Sequence, residues 1–195
     1  MSDFEMANIE FEAFLDKLKV NKRVIVQAHD FPDHDALSSA YALAYLLKKK
    51  GFHPFITFHG YIDRVSLRNL IDWLEIPIYE PKDLKLQPDD KIIVVDGCIG
   101  EKNVTDVPGL EVAVIDHHQV KVPDFVWYSD VRANYGATAT MMVEYYRYFS
   151  LPMPQKVATA LLVGLSFDTA NFTRAVGSAD LKALLYLQER ADNTM

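Results

Sequence analysis

Residues 111–118 read Glu-Val-Ala-Val-Ile-Asp-His-His, an apolar run that passes directly into three polar side chains. Its apolar part has the length and the β-branching of a strand that is buried on both faces. In open α/β sheets, ligands bind where such strands end. We therefore expect Asp116, His117 and His118 to lie in a cleft.

Three further apolar segments also end in side chains that can bind metal. Residues 24–26, 92–95 and 161–165 are followed by His29, Asp33 and Asp35, by Asp96, and by Asp168, respectively. Parallel strands bring their carboxyl ends to one edge of a sheet, and ligands bind outside that edge. The four segments therefore predict one shared site.

The order of predicted elements indicates the fold class. The spacing of Phe11, Phe14, Leu15 and Leu18 is typical of an amphipathic helix that precedes the first strand. We predict strands at about 23–29, 55–58, 91–96 and 111–116, and helices at about 36–50, 63–75, 137–149, 155–166 and 179–190. Strands that alternate with helices predict an α/β fold, doubly wound, with a mainly parallel sheet and helices on both faces.

Composition narrows the class of protein. The chain has 195 residues, half of them hydrophobic, and its only cysteine is Cys98, which suits a reducing compartment. No apolar run is long enough to span a bilayer, and the acidic start lacks the basic leader of a signal peptide. We therefore expect a cytoplasmic protein without a membrane partner. A net charge of −7 argues against binding to long duplex nucleic acid, but it does not exclude short nucleotides.

The type of ligand in these segments favours certain metals. Imidazole together with carboxylate favours manganese, iron, cobalt or zinc, and the many carboxylates favour manganese or magnesium. Asp96 either bridges two cations about 3.5 to 4 Å apart or only ends its strand in a turn. His117 and His118 are adjacent in an extended segment, so their side chains point in opposite directions. We expect one to bind metal and the other to face the substrate.

Contacts with a phosphate are predicted at several positions. Residues 135–140 place small and hydroxyl side chains at a helix start, where Gly136 and Thr138 would either bind phosphate or serve as ordinary caps. Arg132 and Arg174 either neutralise phosphate or lie on the solvated surface. His34 either lines the pocket or faces water. Residues 141–148 are rich in tyrosine and methionine, which indicates that they pack in the core and at an interface. Such an interface would allow a homodimer.

Four motifs in this order resemble the DHH phosphoesterase superfamily. They are His-Asp-Phe-Pro-Asp-His-Asp-Ala at 29–36, Val-Val-Asp at 94–96, Asp-His-His at 116–118 and Gly-Leu-Ser-Phe-Asp-Thr at 164–169. The resemblance covers nearly the whole chain. It is to the catalytic, N-terminal domain of that superfamily, including the members that act on oligoribonucleotides and bisphosphonucleosides.

The resemblance implies a site with two Mn²⁺ ions, for which Mg²⁺, Co²⁺ or Zn²⁺ could substitute. The implied ligands are His29 and Asp33 for one ion, Asp35, His117 and Asp168 for the other, and Asp96 as the bridge between them. His118 would contact the scissile phosphate, so His118 and Asp96 are the implied catalytic residues. We expect Asp116 to orient a histidine instead of binding metal.

The implied activity is hydrolysis of phosphodiester or phosphomonoester bonds in short oligonucleotides or small nucleotides, by a hydroxide that two metal ions activate. Two alternatives are hydrolysis of inorganic pyrophosphate or polyphosphate, and a catalytically silent module that binds nucleotides. The sequence departs from the family where His34 and Ala170 replace customary glycines. No run before Met195 resembles the glycine- and histidine-containing motif of the family's second domain, which binds substrate. We therefore expect a catalytic domain at 1–188 and the start of an interdomain linker at 189–195.

Overall fold

A computed structural model describes residues 3–20 and 22–194 of the chain. Its helices and strands are, in chain order, α1 (Asp3–Leu18), β1 (Arg23–Ala28), α2 (His34–Lys49), β2 (His53–Thr57), α3 (Val65–Leu74), β3 (Lys91–Val95), β4 (Leu110–Asp116), β5 (Tyr128–Val131), α4 (Thr138–Tyr148), α5 (Gln155–Asp168) and α6 (Ser178–Gln188). All the predicted elements are present, and their ends differ from the predicted ones by a few residues. The sequence did not predict β5, whose four residues are largely polar.

The strands form one parallel sheet in the order β2-β1-β3-β4-β5, which confirms the predicted fold class. The chain runs from β1 to one side of the sheet and then from β3 through β4 and β5 to the other. The connections that leave β1 and β3 therefore run in opposite directions along the sheet, and a crevice lies between these two neighbouring strands. A crevice at the carboxyl ends of such strands is the usual ligand site of an open α/β sheet.

Strand pairing sets the residues that leave this edge side by side. Ala28 pairs with Val95, and Val95 pairs with Ile115. The residues that follow these three positions are His29, Asp96 and Asp116. Three of the predicted site segments therefore enter the crevice from adjacent strands.

The two faces of the sheet are covered differently. On one face, Val24, Ile93 and Ile115 belong to a large core to which α1 to α6 all contribute. On the other, Ile25, Ile92, Val94 and Val114 pack against side chains of the irregular connections, among them Leu84 and Val104. Helices were expected there too, but in the described part of the chain the connections after β3 and β4 contain none.

The close packing of α2 against α5 brings two site segments together. A Cβ atom at Gly164 would lie 3.1 Å from both the Asp35 Cα and the His34 carbonyl oxygen. Any other side chain would therefore push α5 away from the first turn of α2. The absence of a side chain at Gly164 thus brings Asp168, at the end of α5, close to Asp35.

The C-terminal residues remain in contact with the domain. Ala191 is buried, and the Asp192 N–H donates to the Thr159 hydroxyl at 2.8 Å. The segment expected to begin a linker, residues 189–195, thus still packs on α5 as far as Asp192, and Met195 lies outside the described residues. Among the described residues, no helix combines the length and the apolar character needed to cross a lipid bilayer.

Candidate metal centre

The six predicted metal ligands converge at the carboxyl edge of the sheet. Two of the three groups of potential ligands among the described residues are His29, Asp33 and Asp96, and Asp35, His117 and Asp168; the third adds His118 to Asp96 and His117. Within each group, one ligand atom from each residue lies within 4.8 Å of the others. The first two groups are the same two sets that the family resemblance implied. Their binding of metal stays a prediction.

Backbone geometry places three of the carboxylates. Asp33 is the N-cap of α2, where its Oδ1 accepts a hydrogen bond from the Ala36 N–H at 3.0 Å. Asp35 lies in the first turn of the same helix. Asp96 follows β3 with a left-handed φ of 57°, and its N–H donates to the Ile115 carbonyl. Left-handed backbone is uncommon outside glycine and often occurs at functional sites.

His29 and His117 are held in the same way by backbone carbonyl groups. His29 Nδ1 lies 2.8 Å from the Asp30 carbonyl oxygen, and His117 Nδ1 lies 3.1 Å from that of Tyr135. Because a carbonyl oxygen only accepts hydrogen bonds, each Nδ1 carries a proton. In the neutral ring Nε2 then has a free lone pair, which is the arrangement of histidines that bind metal.

Both Nε2 atoms face carboxylate oxygens. His29 Nε2 lies 3.9 Å from Asp33 and 3.8 Å from Asp96. His117 Nε2 lies 3.1 Å from Asp168, 3.5 Å from Asp96 and 4.0 Å from Asp35. Among the described residues, the buried His117 Nε2 atom has these carboxylate oxygens near it but makes no well-aligned hydrogen bond. A lone pair among carboxylates is unfavourable unless a cation lies between them, so these residues fit a metal ion.

The concentration of acids perturbs the pKa of the whole group. Burial lowers the pKa of His117, but Asp168, Asp35 and Asp96 outweigh it and raise the pKa to about 10. Burial likewise lowers the pKa of His29, yet Asp33 and other neighbours raise it to about 9. Burial, with Asp33 next in size, raises the pKa of Asp96 to about 6. Protons thus take the place that divalent cations would fill.

Asp35 is the most enclosed member of the centre. Burial, followed by the charge of Asp96, raises the pKa of Asp35 well above its ordinary value. Its carboxylate accepts hydrogen bonds from the Thr138 N–H at 2.7 Å, the Ala139 N–H at 2.9 Å and the Ser39 hydroxyl at 3.3 Å. The anion at the N-terminus of α4 is therefore a side chain of this protein.

This contact bears on Gly136 and Thr138, for which the sequence left phosphate binding and ordinary capping open. Thr138 uses its N–H for Asp35 and its hydroxyl for Asp96, at 2.8 Å, while the Gly136 N–H donates to Asp180 at 3.0 Å. Both residues thus bind the protein's own carboxylates instead of being free to bind a phosphate. Thr138 instead joins the two groups of candidate ligands, because Asp35 belongs to one and Asp96 to the other.

Asp180 is a residue that the sequence analysis missed. It is fully buried and accepts hydrogen bonds from the Gly136 N–H, the Thr140 hydroxyl at 2.6 Å and the Gly177 N–H at 2.7 Å. It thereby fixes the start of α4, on which Thr138 depends. In the sequence it is only an acid in the first turn of a helix, where acids are common.

His118 and Asp116 form a pair beside the centre. Asp116 Oδ1 accepts hydrogen bonds from the His118 N–H at 3.1 Å and from His118 Nδ1 at 2.8 Å. The Asp116 side chain is buried, whereas the His118 side chain is half exposed. The Asp116 hydrogen bond is the main reason that the pKa of His118 is raised. Asp116 therefore orients His118 and leaves its Nε2 available to a substrate.

Arg132, predicted either to neutralise phosphate or to lie on the solvated surface, is instead largely buried and paired with carboxylates of the protein. Its side chain is 10% exposed and donates to Asp130 at 2.7 and 2.6 Å, to the Tyr135 hydroxyl at 3.1 Å and to Glu144. Two carboxylates thus already compensate the guanidinium. The residue belongs to a buried ion-pair cluster that joins β5 to α4.

His34 and Arg174 have different surroundings. His34 is fully buried, stacks on Phe167 with ring centroids 3.6 Å apart, and has Nε2 3.0 Å from the Ser66 hydroxyl. Burial, followed by the charge of Arg64, lowers the pKa of His34 to about 4. It therefore packs inside the domain as a neutral ring. Arg174 is exposed and donates to the Asp168 carbonyl at 3.0 Å, so its phosphate contact stays a prediction.

Three curated relatives are similar to most of this chain. An uncharacterized protein of Methanocaldococcus jannaschii is 30% identical over 91% of this chain and 37% of its own length. The cyclic-di-AMP phosphodiesterase GdpP of Bacillus subtilis is 25% identical over 90% of this chain and 29% of its own length. A Bacillus cereus protein named "Probable manganese-dependent inorganic pyrophosphatase" is 26% identical over 88% of this chain and 56% of its own length. The chain thus spans less than two thirds of each relative.

A solved structure and a family comparison agree with this likeness. The exopolyphosphatase-related protein of Bacteroides fragilis superposes with a TM-score of 0.72 and 18% identity, over 94% of this chain and 57% of that one, and so shows the fold. Residues 23–165 match the family described as "DHH family, N-terminal domain". That match covers more than half of the 195 residues and includes the first three motifs. The chain therefore belongs to the DHH family.

Proposed function

We propose that this chain is a metal-dependent phosphoesterase that uses two Mn²⁺ ions to hydrolyse phosphodiester or phosphomonoester bonds of small nucleotides or short oligonucleotides. The observation that carries the proposal is the shared position of Asp96. Its Oδ2 lies 3.8 Å from His29 Nε2, and its Oδ1 lies 3.5 Å from His117 Nε2. One carboxylate thus faces the ligand atom of a histidine in each group.

The chain's own residues define what each side of the centre would do. His29 and Asp33 would hold one ion, while Asp35, His117 and Asp168 would hold the other, with Asp96 common to both. Divalent cations bound there would supply a nucleophile from water at neutral pH and stabilise negative charge on phosphoryl oxygens.

Protein groups next to the ligands prepare the site. The Thr138 hydroxyl donates to Asp96 Oδ1, which leaves Asp96 Oδ2 on the side of His29. The hydrogen bond to Asp116 fixes His118 with Nδ1 protonated, so that its exposed Nε2 can contact a phosphoryl oxygen. Arg174, close to Asp168, is the remaining candidate for neutralising a phosphate. His118 and Arg174 would orient the phosphate ester, while Thr138 holds Asp96 in position.

A second candidate substrate is inorganic pyrophosphate or polyphosphate. It is favoured by the likeness to the Bacillus cereus protein, whose name is that of a manganese-dependent inorganic pyrophosphatase. The likeness to the Bacillus subtilis protein, named as a cyclic-di-AMP phosphodiesterase, favours nucleotides instead. Both reactions would use the same centre, so substrate competition is the test that separates them.

The proposed activity is tested with purified protein that is stripped of metal and reloaded with Mn²⁺, Mg²⁺, Co²⁺ or Zn²⁺. A dinucleotide, a 3′,5′-bisphosphonucleoside, pyrophosphate and polyphosphate are offered to each form. We expect Mn²⁺ to support hydrolysis of the first two most strongly, and Asp96→Asn to abolish it. The matched control is Asp72→Asn, since Asp72 is an exposed acid on α3. Preference for pyrophosphate would select the second candidate, and nucleotide binding without turnover would indicate a silent module.

A further inference from the structure

An exposed pair of aromatic rings lies next to the candidate metal centre. Phe31 is 52% exposed and Tyr61 is 64% exposed, and their ring centroids are 5.1 Å apart with the rings nearly perpendicular. We call these two residues the aromatic platform. Two exposed aromatic rings in contact with each other form a small apolar surface, and such surfaces can bind ligands.

The backbone holds Phe31 in a strained position. Its φ is 50°, in the left-handed region that bulky residues rarely adopt. Its N–H donates to the His59 carbonyl at 3.0 Å, and the Asp30 N–H donates to the Asn103 carbonyl at 2.7 Å. The Asp30 carboxylate also accepts from the Thr105 N–H and hydroxyl, at 3.0 and 2.5 Å. Two neighbouring loops thus fix Phe31, and strain of this kind often accompanies a functional role.

Gly60 gives the Phe31 ring a fixed place. A Cβ atom at Gly60 would lie 2.7 Å from the ring, and the φ of Gly60 is 95°. The positive φ favours glycine there, and a side chain at this position would displace the ring from the place it occupies. The ring therefore rests directly on the Gly60 backbone with much of its surface toward solvent.

The platform opens on a cavity of about 730 Å³. Residues that line it include Phe31, Phe58, His59, Tyr61, Tyr79 and Lys82. This volume lies within the range of small-molecule sites, and its aromatic lining with a few polar groups is typical of them. The cavity follows the carboxyl end of β2, at the same edge of the sheet as the metal centre, where α/β sheets bind ligands.

Chain geometry limits the distance from the platform to the metal centre. Phe31 is two residues from His29 and two from Asp33. Two residues span at most about 7 Å along the backbone, so the Cα atom of Phe31 lies within about 7 Å of those of His29 and Asp33. A ligand with a phosphate at the centre and a flat apolar group on the platform would contact both.

We propose that Phe31, supported by Tyr61 and Gly60, stacks on the nucleobase of a nucleotide whose phosphate lies at the candidate metal centre. This inference rests on the proposed function and narrows it to substrates that carry a base. Any of the bases can stack on an aromatic ring, because each has a π face. Stacking on Phe31 is therefore compatible with small nucleotides of any base and requires no specific oligonucleotide sequence. Free pyrophosphate has no group for the platform.

The experiment compares Phe31→Leu, which keeps apolar bulk without a π face, with Phe31→Tyr, which keeps the ring. Trp73→Ala is the control, because Trp73 is an exposed aromatic residue on α3 with no place in the platform. Each protein is loaded with Mn²⁺ and given a dinucleotide and the corresponding abasic phosphodiester. We expect Phe31→Leu to lower the ratio of kcat/KM for the dinucleotide over the abasic ester about 10- to 100-fold. Phe31→Tyr should restore the ratio, and Trp73→Ala should leave it unchanged.

A binding measurement keeps this test separate from the test of the proposed function. A dinucleotide that contains 2-aminopurine is titrated into each protein, and stacking should quench its fluorescence in wild type but not in Phe31→Leu. Quenching that depends on Phe31 would support the platform even if no ester is hydrolysed. Absence of quenching in wild type, equal quenching in Phe31→Leu, or an unchanged kcat/KM ratio would overturn it. Loss of bound Mn²⁺ in Phe31→Leu would also overturn it, since the residue would then support the centre and not a base.

Discussion

Two buried clusters of charge lie at the carboxyl edge of this sheet, and they are built on opposite plans. After β5, Arg132 pairs with Asp130 and Glu144, so a cation of the chain itself compensates two carboxylates. At the ends of β1, β3, β4 and α5, four carboxylates meet two histidines. In the part of the chain that the structure describes, none of these four carboxylates has an ion pair with lysine or arginine.

The presence or absence of a compensating arginine distinguishes the Arg132 cluster, which is structural, from the centre around Asp96, which can bind cations. Buried charges are stable when they are paired, and an unpaired buried charge changes its pKa or recruits a counterion. The Arg132 cluster is complete without a ligand. The centre around Asp96 meets only part of its deficit with protons on His29 and His117, whose pKa values are about 9 and 10. A pair of divalent cations would meet the same deficit.

The largest effect on the metal centre is expected for Asp96→Asn. The change removes the carboxylate that the two groups share, so we expect both ions to bind weakly and kcat to fall by at least about 10³-fold. Metal content after dialysis, measured by atomic emission, and initial rates check this. A variant with two tightly bound ions and near-normal rates would contradict the assignment.

The corresponding change in the structural cluster is Arg132→Met. It leaves two buried carboxylates without their cation, so we expect a loss of about 3 kcal/mol in the free energy of unfolding. Mn²⁺ stoichiometry should stay the same, because none of the candidate ligands changes. Urea unfolding and metal analysis of the folded variant measure the two effects. Lower Mn²⁺ stoichiometry with unchanged stability would reverse the roles that we give to the clusters.

The stabilisation that Mn²⁺ gives to each variant also distinguishes the two clusters. Mn²⁺ at 100 times its dissociation constant should stabilise the wild-type protein by about 2.7 kcal/mol for each ion that binds, because it binds the folded state. Arg132→Met should gain a similar amount, whereas Asp96→Asn should gain much less. Thermal unfolding with and without Mn²⁺, referenced to a chelator, gives these values. Equal gains in wild type and Asp96→Asn would place the bound ion elsewhere.

The smallest effect is expected for Thr138→Val. The substitution keeps the N–H that binds Asp35 and removes the hydroxyl that binds Asp96. Loss of a group that orients a metal ligand typically costs at least about tenfold in affinity, so we expect about that change in the Mn²⁺ dissociation constant. Isothermal titration calorimetry measures it, with Thr138→Ser as the control that restores the hydroxyl. Equal affinity in the valine and serine variants would show that the hydroxyl has no effect.

The two clusters also show what sequence reasoning can reach. The candidate ligands were predictable because each follows an apolar strand or helix, and parallel strands end at one edge. The groups that hold them were not, because their partners are distant in sequence: Thr138 donates to Asp35 across 103 positions. The burial of Arg132 was not predictable for a different reason: Asp130 and Glu144 lie only 2 and 12 positions away, but the three side chains come together only when β5 packs beside α4. The missed strand β5 is short and polar, so it lacks the apolar run that marked the others.

The most direct test of the central claim is anomalous scattering from a crystal soaked in Mn²⁺. The account predicts two peaks on either side of Asp96, one beside His29 and Asp33 and the other beside Asp35, His117 and Asp168. The Arg132 cluster should show none. A single peak away from Asp96, or no peak at saturating Mn²⁺, would contradict the assignment of a two-metal centre.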